Sequence, residues 1–187
     1  MLILNSITAR LGGQTVLEDA TATLPARSRV GIVGRNGAGK STLLKIIAGE
    51  MQADGGAVET PRNTRIGYVA QEAPGGTTTP FEMVLAADEE RVELLDRAEH
   101  ATDANEISDV HERLNLIDAH GAPARAARIL AGLGFDEEGQ HQPLSSFSGG
   151  WRMRVALAGL LFSRPDLLLL DEPSNHLDLE AALWLES

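Results

Sequence analysis

The stretch that most constrains the fold is GRNGAGKST, residues 34–42. It fits the pattern G-x-x-x-x-G-K-[ST], in which glycines let backbone N–H groups turn inward around an anion. The apolar run at 29–33 predicts a short buried strand that leads into this loop. A helix over 40–50 would follow, with one apolar face made of Leu43, Leu44, Ile46 and Ile47. A strand, a glycine-rich loop and a helix in this order indicate a nucleotide phosphate site and not an ordinary turn.

Each part of this loop has a chemical task in such a site. The helix N-terminus adds partial positive charge, and Lys40 has the length to reach the β- and γ-phosphates. The Ser41 hydroxyl is a candidate ligand for Mg²⁺. The predicted nucleotide-binding residues here are Gly34, Arg35, Asn36, Gly37, Ala38, Gly39, Lys40, Ser41 and Thr42.

Composition narrows the class of protein. The chain has 187 residues, 43% of them hydrophobic and none of them cysteine. No apolar run is long enough to cross a bilayer, and no basic segment precedes the apolar N-terminus as in a signal peptide. We therefore expect one soluble, cytoplasmic domain without direct membrane insertion.

Acidic charge is concentrated in one segment. The net charge is −11. Residues 82–118 contain 12 acidic residues against three arginines, a net charge of −9. The chain as a whole should therefore not be attracted to nucleic acid, and the acidity belongs to one region.

The N-terminal part has the pattern of strands. Residues 1–7 alternate apolar and polar side chains, the Gly12-Gly13 pair predicts a turn, and residues 16–24 continue as short β segments. Residues 57–60 and 65–70 are predicted to form a further strand pair. Residues 73–79 are rich in Pro, Gly and Thr, which indicates a linker into a different subdomain.

Helical periodicity dominates the middle of the chain. Thr79, Pro80 and Glu82 have the order of a capping box at a helix start. One stripe is Phe81, Leu85, Val92 and Leu95, interrupted by Asp88, and a second is Ile107, Val110, Leu114 and Ile117. With a turn at 100–103, the stripes indicate either an antiparallel hairpin with acidic outer faces or two ordinary surface helices. The histidines His100, His111, His120 and His141 lack metal-ligand spacing and are expected at the surface.

The last third returns to alternating helix and strand. One helix is predicted over 122–133, and Gly134 ends it. Another is predicted over 149–163, with Ser148 as its N-cap. The run Leu167–Leu168–Leu169–Leu170 predicts a strand buried on both faces. It would place Asp171 and Glu172 at its carboxyl end, where ligands bind in open parallel sheets. A final helix begins at Leu179.

Three further stretches carry a family resemblance. LLLLDEP resembles a Walker B strand, FSGGW at 147–151 resembles the signature motif of ABC-type ATPases, and SNHLD at 174–178 resembles their D-loop. Gln71 resembles the Q-loop glutamine. The resemblance implies that Asp171 holds Mg²⁺ together with Ser41 and Gln71, and that Glu172 and Gln71 are catalytic. It also implies that Ser148, Gly149 and Gly150 contact a γ-phosphate.

Finer features resemble the ABC-F branch, whose signature carries Trp in place of Gln. SGGWRMRVALA and LLLLDEPSNHLDLEA show this pattern. The resemblance implies an ATPase, with ATP and Mg²⁺ as ligands, that works with a second cassette in the same chain or in a homodimer. It further implies a ribosome-associated translation factor. By its charge, the acidic segment would dock on a basic ribosomal protein and not on RNA. The alternatives are the ATPase subunit of a membrane transporter and a non-hydrolysing, nucleotide-dependent interaction module.

The expected fold is an α/β P-loop domain of ABC type, with a mainly parallel core sheet, an antiparallel β edge and an inserted helical subdomain. Residues 1–187 would form one partial cassette. Its nucleotide-binding core and β subdomain would comprise 1–72 and 148–187, and its helical subdomain 73–147, with an arm hairpin at about 80–118. Leu11 stands where the family places an adenine-stacking aromatic residue, and the switch histidine falls beyond Ser187. Full activity is therefore expected only with a second cassette.

Overall fold

The computed structural model describes residues 1–69, 75–175 and 177–186. The chain divides into two compact units, which are taken separately below. Unit 1 comprises Met1–Val69 and Pro165–Asp171, and unit 2 comprises Ala70–Arg164 and Glu172–Ser187. The strands are β1 (Leu2–Leu11), β2 (Gln14–Leu24), β3 (Gly55–Glu59), β4 (Ile66–Tyr68) and β5 (Leu167–Leu169). The helices are α1 (Lys40–Ala48), α2 (Pro80–Ala86), α3 (Glu89–His100), α4 (Ala104–Leu116), α5 (Ala122–Gly132), α6 (Glu137–Gln140), α7 (Gly149–Phe162) and α8 (Leu179–Glu186).

Unit 1 is built on an antiparallel sheet with the order β2-β1-β3. β1 buries Leu2, Leu4, Ile7 and Ala9, and register shifts after Leu4 explain why this row does not alternate strictly. Helix α1 buries Leu44, Ile46 and Ile47 in the same core cluster, so the sheet and the helix share one hydrophobic core. The predicted helix face after the glycine-rich loop is confirmed.

The second sheet of unit 1 corrects one expectation. The segments 57–60 and 65–70 were expected to pair with each other, but β3 pairs antiparallel with β1, and β4 pairs parallel with β5. The backbone N–H of Arg65 donates to Asp166 Oδ2 at 2.9 Å, and its carbonyl accepts from Asp166 and Leu167. These bonds set the register of the parallel pair between residues about 100 positions apart, which local patterns do not encode.

The expected strand at 29–33 is also wrong. No strand is assigned at residues 28–34, and the apolar side chains of Val30, Ile32 and Val33 are exposed, Val33 to 96%. An apolar segment is buried as a strand only when neighbouring strands flank it and helices cover it. Among the described strands, none pairs with this segment.

Unit 2 is helical, and its interior lies where α5 and α7 pack on α2. Buried side chains there include Val84, Leu130, Val155 and Phe162. The capping box at the start of α2 is confirmed, since Thr79 Oγ1 accepts from the Glu82 N–H and Glu82 Oε2 accepts from the Thr79 N–H. α7 lies in unit 2, whereas the sequence-based division grouped residues 148–187 with the nucleotide-binding core.

Helices α3 and α4 form an antiparallel hairpin with its own small core. The single helix expected from residue 79 is broken at Asp88, whose carboxylate caps α3 by accepting from the Arg91 N–H. The break changes the helical phase, so Leu94 is buried (7% exposed) while the expected Leu95 is 41% exposed. On α4, the expected Val110 and Leu114 are buried and complete this core with Ala119.

Polar contacts tie the base of this hairpin to the rest of unit 2. The Arg125 guanidinium lies 3.9 Å from Asp88 and 3.5 Å from Asp118, and it stacks over the Phe162 ring at 4.6 Å. Burial is the main cause that lowers the pKa of Arg125, followed by the nearby Arg164. In residues 1–69, 75–175 and 177–186, no helix has the length and apolar character that crossing a bilayer requires.

Candidate nucleotide site

The glycine-rich loop turns directly into α1. Gly39 is the N-cap of this helix with φ 89°, a left-handed conformation that favours glycine. A Cβ atom at Gly39 would lie 2.8 Å from the Val16 carbonyl oxygen, so the sequence needs glycine here for packing as well as for the turn. Residues 34–38 are exposed, whereas Gly39 and Thr42 are buried at the base of the loop. The loop therefore presents its backbone to solvent beside the N-terminus of a well-packed helix.

Lys40 is held against this loop. Its Nζ donates to the carbonyl oxygens of Gly34 at 3.1 Å and Arg35 at 3.2 Å. The Ala38 N–H donates to the Arg35 carbonyl at 3.1 Å, which closes a tight turn in the same segment. An ammonium group fixed above the loop is positioned for a polyphosphate that the loop would bind. The aligned adenine-stacking position, Leu11, ends β1 and is 46% exposed.

The Walker B-like segment supplies a second part of the site in unit 1. β5 is flanked by β4 in parallel and packs into the core cluster that contains α1. Asp171 follows β5 by two residues, and its Oδ2 atom is buried without a hydrogen-bond partner among the described residues. The glycine-rich loop, α1 and Asp171 thus belong to the same unit, which has one hydrophobic core. These are predicted site residues that unit 1 contains.

Tyr68, which the sequence analysis did not select, lies in the same region. It is the last residue of β4, and its hydroxyl is also buried without a partner in the described part of the chain. Burial raises the pKa of the Tyr68 hydroxyl, and the charges of Asp171 and Glu50 raise it further. The sequence contains no local signal for this proximity, because it arises from the β4–β5 pairing.

Glu172 has an unusual backbone conformation. Its φ is 48°, a left-handed value that non-glycine residues adopt rarely and at some energetic cost. Its Oε2 accepts a hydrogen bond of 3.0 Å from Asn175 Nδ2, within the turn that follows.

The signature-like segment begins α7. Ser148 is the N-cap of this helix, as expected, but its hydroxyl makes no capping hydrogen bond. Ser148 and Gly149 are exposed and Gly150 is half-buried, so the helix start is open. Trp151, one turn into the helix, packs edge-on against Phe135 with ring centroids 4.9 Å apart. The aromatic residue therefore anchors the segment and leaves Ser148 and the two glycines accessible.

Arg154 is a further residue that the sequence analysis did not select. Its guanidinium lies over the Trp151 ring at 4.5 Å, donates to the Leu133 carbonyl at 3.2 Å and pairs with Asp178 at 2.8 Å. The Ala181 N–H is the main cause that lowers the pKa of Asp178, and Arg154 lowers it further. The only sequence signal for this role was an arginine one turn after the signature, which by itself indicates nothing specific.

The remaining predicted residues divide between the units. Gly34 to Thr42 and Asp171 lie in unit 1, whereas Ser148, Gly149, Gly150 and Glu172 lie in unit 2. Gln71 and His176 lie outside the described residues. The other histidines, His100, His111, His120 and His141, are exposed as expected.

The residues in unit 1 fit a magnesium ion of the kind that accompanies nucleotides. Such an ion takes few protein ligands, because phosphate oxygens and water fill the other positions. The Asp171 carboxylate, whose Oδ2 is unpartnered among the described residues, offers two hard oxygen donors of the required type. Within the described ranges there is no group of three or more His, Cys, Asp or Glu that could hold a metal by protein ligands alone. As a single carboxylate, Asp171 suits a cation whose other ligands are phosphate oxygens and water.

Comparisons with known proteins identify the family. A family model described as "ABC transporter" matches residues 17–175. The "Probable ATP-binding protein YheS" of Escherichia coli K12 is 45% identical over 189 aligned positions, covering 100% of this chain and 30% of its own length. The human "ATP-binding cassette sub-family F member 3" is 44% identical over 94% of this chain and 26% of its own length. The chain thus spans under a third of these relatives.

Solved structures give the same fold at lower identity. The ATP-binding subunit of an ABC transporter has a TM-score of 0.71 and 22% identity, over 99% of this chain and 71% of its own. The cassette MJ0796, a post-hydrolysis dimer bound to ADP and Pi, has a TM-score of 0.68 over 99% of this chain and 79% of its own. The expected α/β P-loop fold of ABC type is therefore confirmed. The chain belongs to the ABC transporter family of ATP-binding proteins, and its curated relatives include members of subfamily F.

Proposed function

We propose that this chain binds ATP with Mg²⁺ and hydrolyses it as part of an ABC-F-like protein. The observation that carries the proposal is the loop at the start of α1, where Lys40 Nζ lies on the carbonyls of Gly34 and Arg35. The relatives support it, since one is named a probable ATP-binding protein and one solved cassette holds ADP and Pi.

Each residue has a stated task in this proposal. The N–H groups of residues 34–42 and the N-terminus of α1 bind the phosphates, and Lys40 neutralises the β- and γ-phosphates. Ser41, Gln71 and Asp171 hold Mg²⁺, which supplies positive charge to the transferring phosphoryl group. Glu172 polarises the attacking water. The exposed carboxylate of Glu172 is oriented by Asn175.

A second cassette completes the proposed site. Residues 1–187 would form one partial cassette, in keeping with its span of 30% of YheS. Ser148, Gly149 and Gly150, at the open start of α7, would contact the γ-phosphate held by the other cassette, in the same chain or in a homodimer. The helix start has the exposed N–H groups that this contact needs.

Lys40→Ala tests nucleotide binding. Removal of the ammonium group should abolish binding of a fluorescent ATP analogue in an equilibrium titration, because the loop then lacks its main positive charge. Arg62→Ala, an exposed cation of the same unit, is the control. Unchanged ATP affinity in Lys40→Ala would contradict the assignment.

The proposed setting is the ribosome, in the cytoplasm. Its support is the 42–46% identity of the chain to subfamily F proteins and to YheS, together with the α3–α4 hairpin. We propose that this hairpin docks on a basic ribosomal protein. A surface rich in carboxylates is repelled by RNA phosphates and attracted to Lys- and Arg-rich surfaces.

Ion pairs within the hairpin affect which carboxylates we propose for this contact. Glu106 pairs with Arg97 at 3.2 Å, and Glu90 pairs with Arg113, so both are occupied inside the hairpin. Glu93 and Asp109 have no such cross-hairpin partner among the described residues and are exposed. A shallow groove of about 530 Å³ also runs along α4, lined by Ile107, Ser108, His111, Glu112, Asn115 and Leu116. It combines apolar and acidic groups, which suits a basic amphipathic segment.

Charge reversal tests the docking. Glu93→Lys with Asp109→Lys should weaken co-sedimentation with ribosomes and make the remaining binding less sensitive to salt, because attractive charge pairs are lost, while ATP affinity stays unchanged. Glu18→Lys with Glu137→Lys makes the same change in net charge outside the hairpin and is the matched control. If both double variants pellet equally across the salt series, the hairpin is a solvated surface and the docking proposal is contradicted. Binding of the wild-type protein to a membrane transporter instead of ribosomes would favour the transporter function.

A further inference from the structure

Tyr68 ends β4, and Asp171 lies two residues beyond the end of the neighbouring strand β5. Tyr68 lies opposite Leu169 in the β4–β5 ladder, and both side chains pack against the core cluster that includes α1. Asp171 therefore follows the ladder partner of Tyr68 by only two residues, at the carboxyl end of the parallel pair.

Both side chains carry a buried polar atom that lacks a partner among the described residues. These atoms are Tyr68 Oη and Asp171 Oδ2. Buried polar atoms are nearly always hydrogen-bonded in folded proteins, directly or through ordered water. Here one atom is a donor and the other a carboxylate acceptor, so each has the chemistry that the other requires.

We infer that the Tyr68 hydroxyl orients the Asp171 carboxylate through one bridging water molecule, to which the hydroxyl donates a hydrogen bond. Tyr68 is then a positioning residue for the proposed Mg²⁺ ligand, and this inference rests on the proposed function. A phenol suits the task, because it carries no charge and leaves the second carboxylate oxygen for the cation.

Tyr68→Phe removes only the hydroxyl. In the ATP-loaded protein, the affinity for titrated Mg²⁺ should fall about tenfold, the effect typical of losing an outer-shell partner of a metal ligand. ATP affinity measured in EDTA should stay unchanged. Thr23→Val, which removes an exposed hydroxyl from β2 of the same unit, is the control. Mg²⁺ affinity within twofold of wild type in Tyr68→Phe would overturn the inference.

Stability of the protein without nucleotide or metal gives an independent reading. If the hydroxyl had no partner, Tyr68→Phe would leave the urea midpoint unchanged or raise it, because an unsatisfied buried polar group is removed. If it binds Asp171, the midpoint should fall, and the fall should disappear in an Asp171→Ala background. A fall that disappears with Glu50→Gln instead would assign the hydroxyl to Glu50 and overturn the inference.

Failure of this inference and failure of the proposed function give different results. Asp171→Ala that retains wild-type Mg²⁺ affinity would contradict the metal role itself. If Asp171→Ala loses Mg²⁺ affinity while Tyr68→Phe keeps the Mg²⁺ affinity of the wild type, only the positioning role of Tyr68 is contradicted.

Discussion

Arg154 donates from Nη1 to Asp178 Oδ2 at 2.8 Å, which links the helix that begins at the signature to the end of the D-loop. Asp178 also accepts from the Ala181 N–H at 2.9 Å and so caps α8. A single buried guanidinium therefore holds the start of α8 against α7. Within unit 2, this bond couples the segment proposed to contact a γ-phosphate to the loop that follows Walker B.

Arg154→Met should lower the free energy of unfolding by about 2 kcal/mol, measured by urea denaturation. The loss comes from the hydrogen bond to the Leu133 carbonyl and from stacking on Trp151. The ion pair adds little, because the Asp178 side chain is 55% exposed. Arg128→Met, at an exposed arginine of α5, is the control and should change stability by under about 0.5 kcal/mol. Equal effects of the two variants would contradict the prediction.

The depressed pKa of Asp178 predicts a pH dependence of stability. Its backbone bond to Ala181 and its pair with Arg154 favour the ionised carboxylate in the folded state. The resulting stabilisation is present above the ordinary value of 3.8 and is lost as pH falls through the lower folded value. The stability difference between wild type and Asp178→Asn, followed by urea denaturation from pH 6 to about pH 2.5, should shrink over this acidic range. A stability difference that stays constant over this pH range would contradict the lowered pKa of Asp178.

Glu172→Gln should retain ATP binding and slow hydrolysis at this site by about 10²- to 10⁴-fold, the usual contribution of a general base. The amide still accepts from Asn175 but no longer polarises water, so the ATP-bound state should accumulate. Single-turnover hydrolysis measures the effect. Asn175→Ala, which removes only the orienting contact, should slow hydrolysis much less. A wild-type rate in Glu172→Gln would exclude Glu172 as the base.

Trp151→Ala should lower the free energy of unfolding by about 2 kcal/mol, below the range for fully buried aromatic residues because Trp151 is half-buried. The variant loses the ring contacts to Phe135 and Phe147 and removes the face on which Arg154 stacks. Trp151→Phe should recover part of the stability. In a double mutant with Arg154→Met, the two losses should be less than additive, since they share one contact. Full additivity would show that the stacking contributes nothing.

ATP hydrolysis by the protein should depend on encounter with a second cassette. If the partner is another copy of this chain, the rate per molecule should rise with protein concentration, because Ser148 would serve a nucleotide held elsewhere. A Ser148→Arg variant, which blocks the open start of α7, should suppress that rise and leave ATP binding unchanged. Robust hydrolysis that is independent of concentration in both proteins would contradict the arrangement.

Local patterns predicted the features that depend on a few neighbouring residues. The capping box of Thr79 and Glu82 needs only one helical turn, and the start of α1 after the glycine-rich loop follows from the loop motif and the apolar spacing behind it. The same holds for the start of α7 at Gly149 and for the buried Val110 and Leu114 of α4. In each case the interacting groups are close in sequence, so their spacing determines the outcome.

The tertiary structure decided what depends on partners far apart in the chain. β4 pairs with β5 and not with β3, and this pairing places Tyr68 opposite Leu169, two residues before Asp171. The apolar segment at 28–34 is exposed, because burial of a strand is a property of its neighbours and not of its own composition. The break at Asp88 shifted the buried position to Leu94, and Arg154 acquired its role only where α7 meets Asp178. The motif order in the sequence thus determined the family and the phosphate loop, while the side chains that support the site were selected by long-range packing.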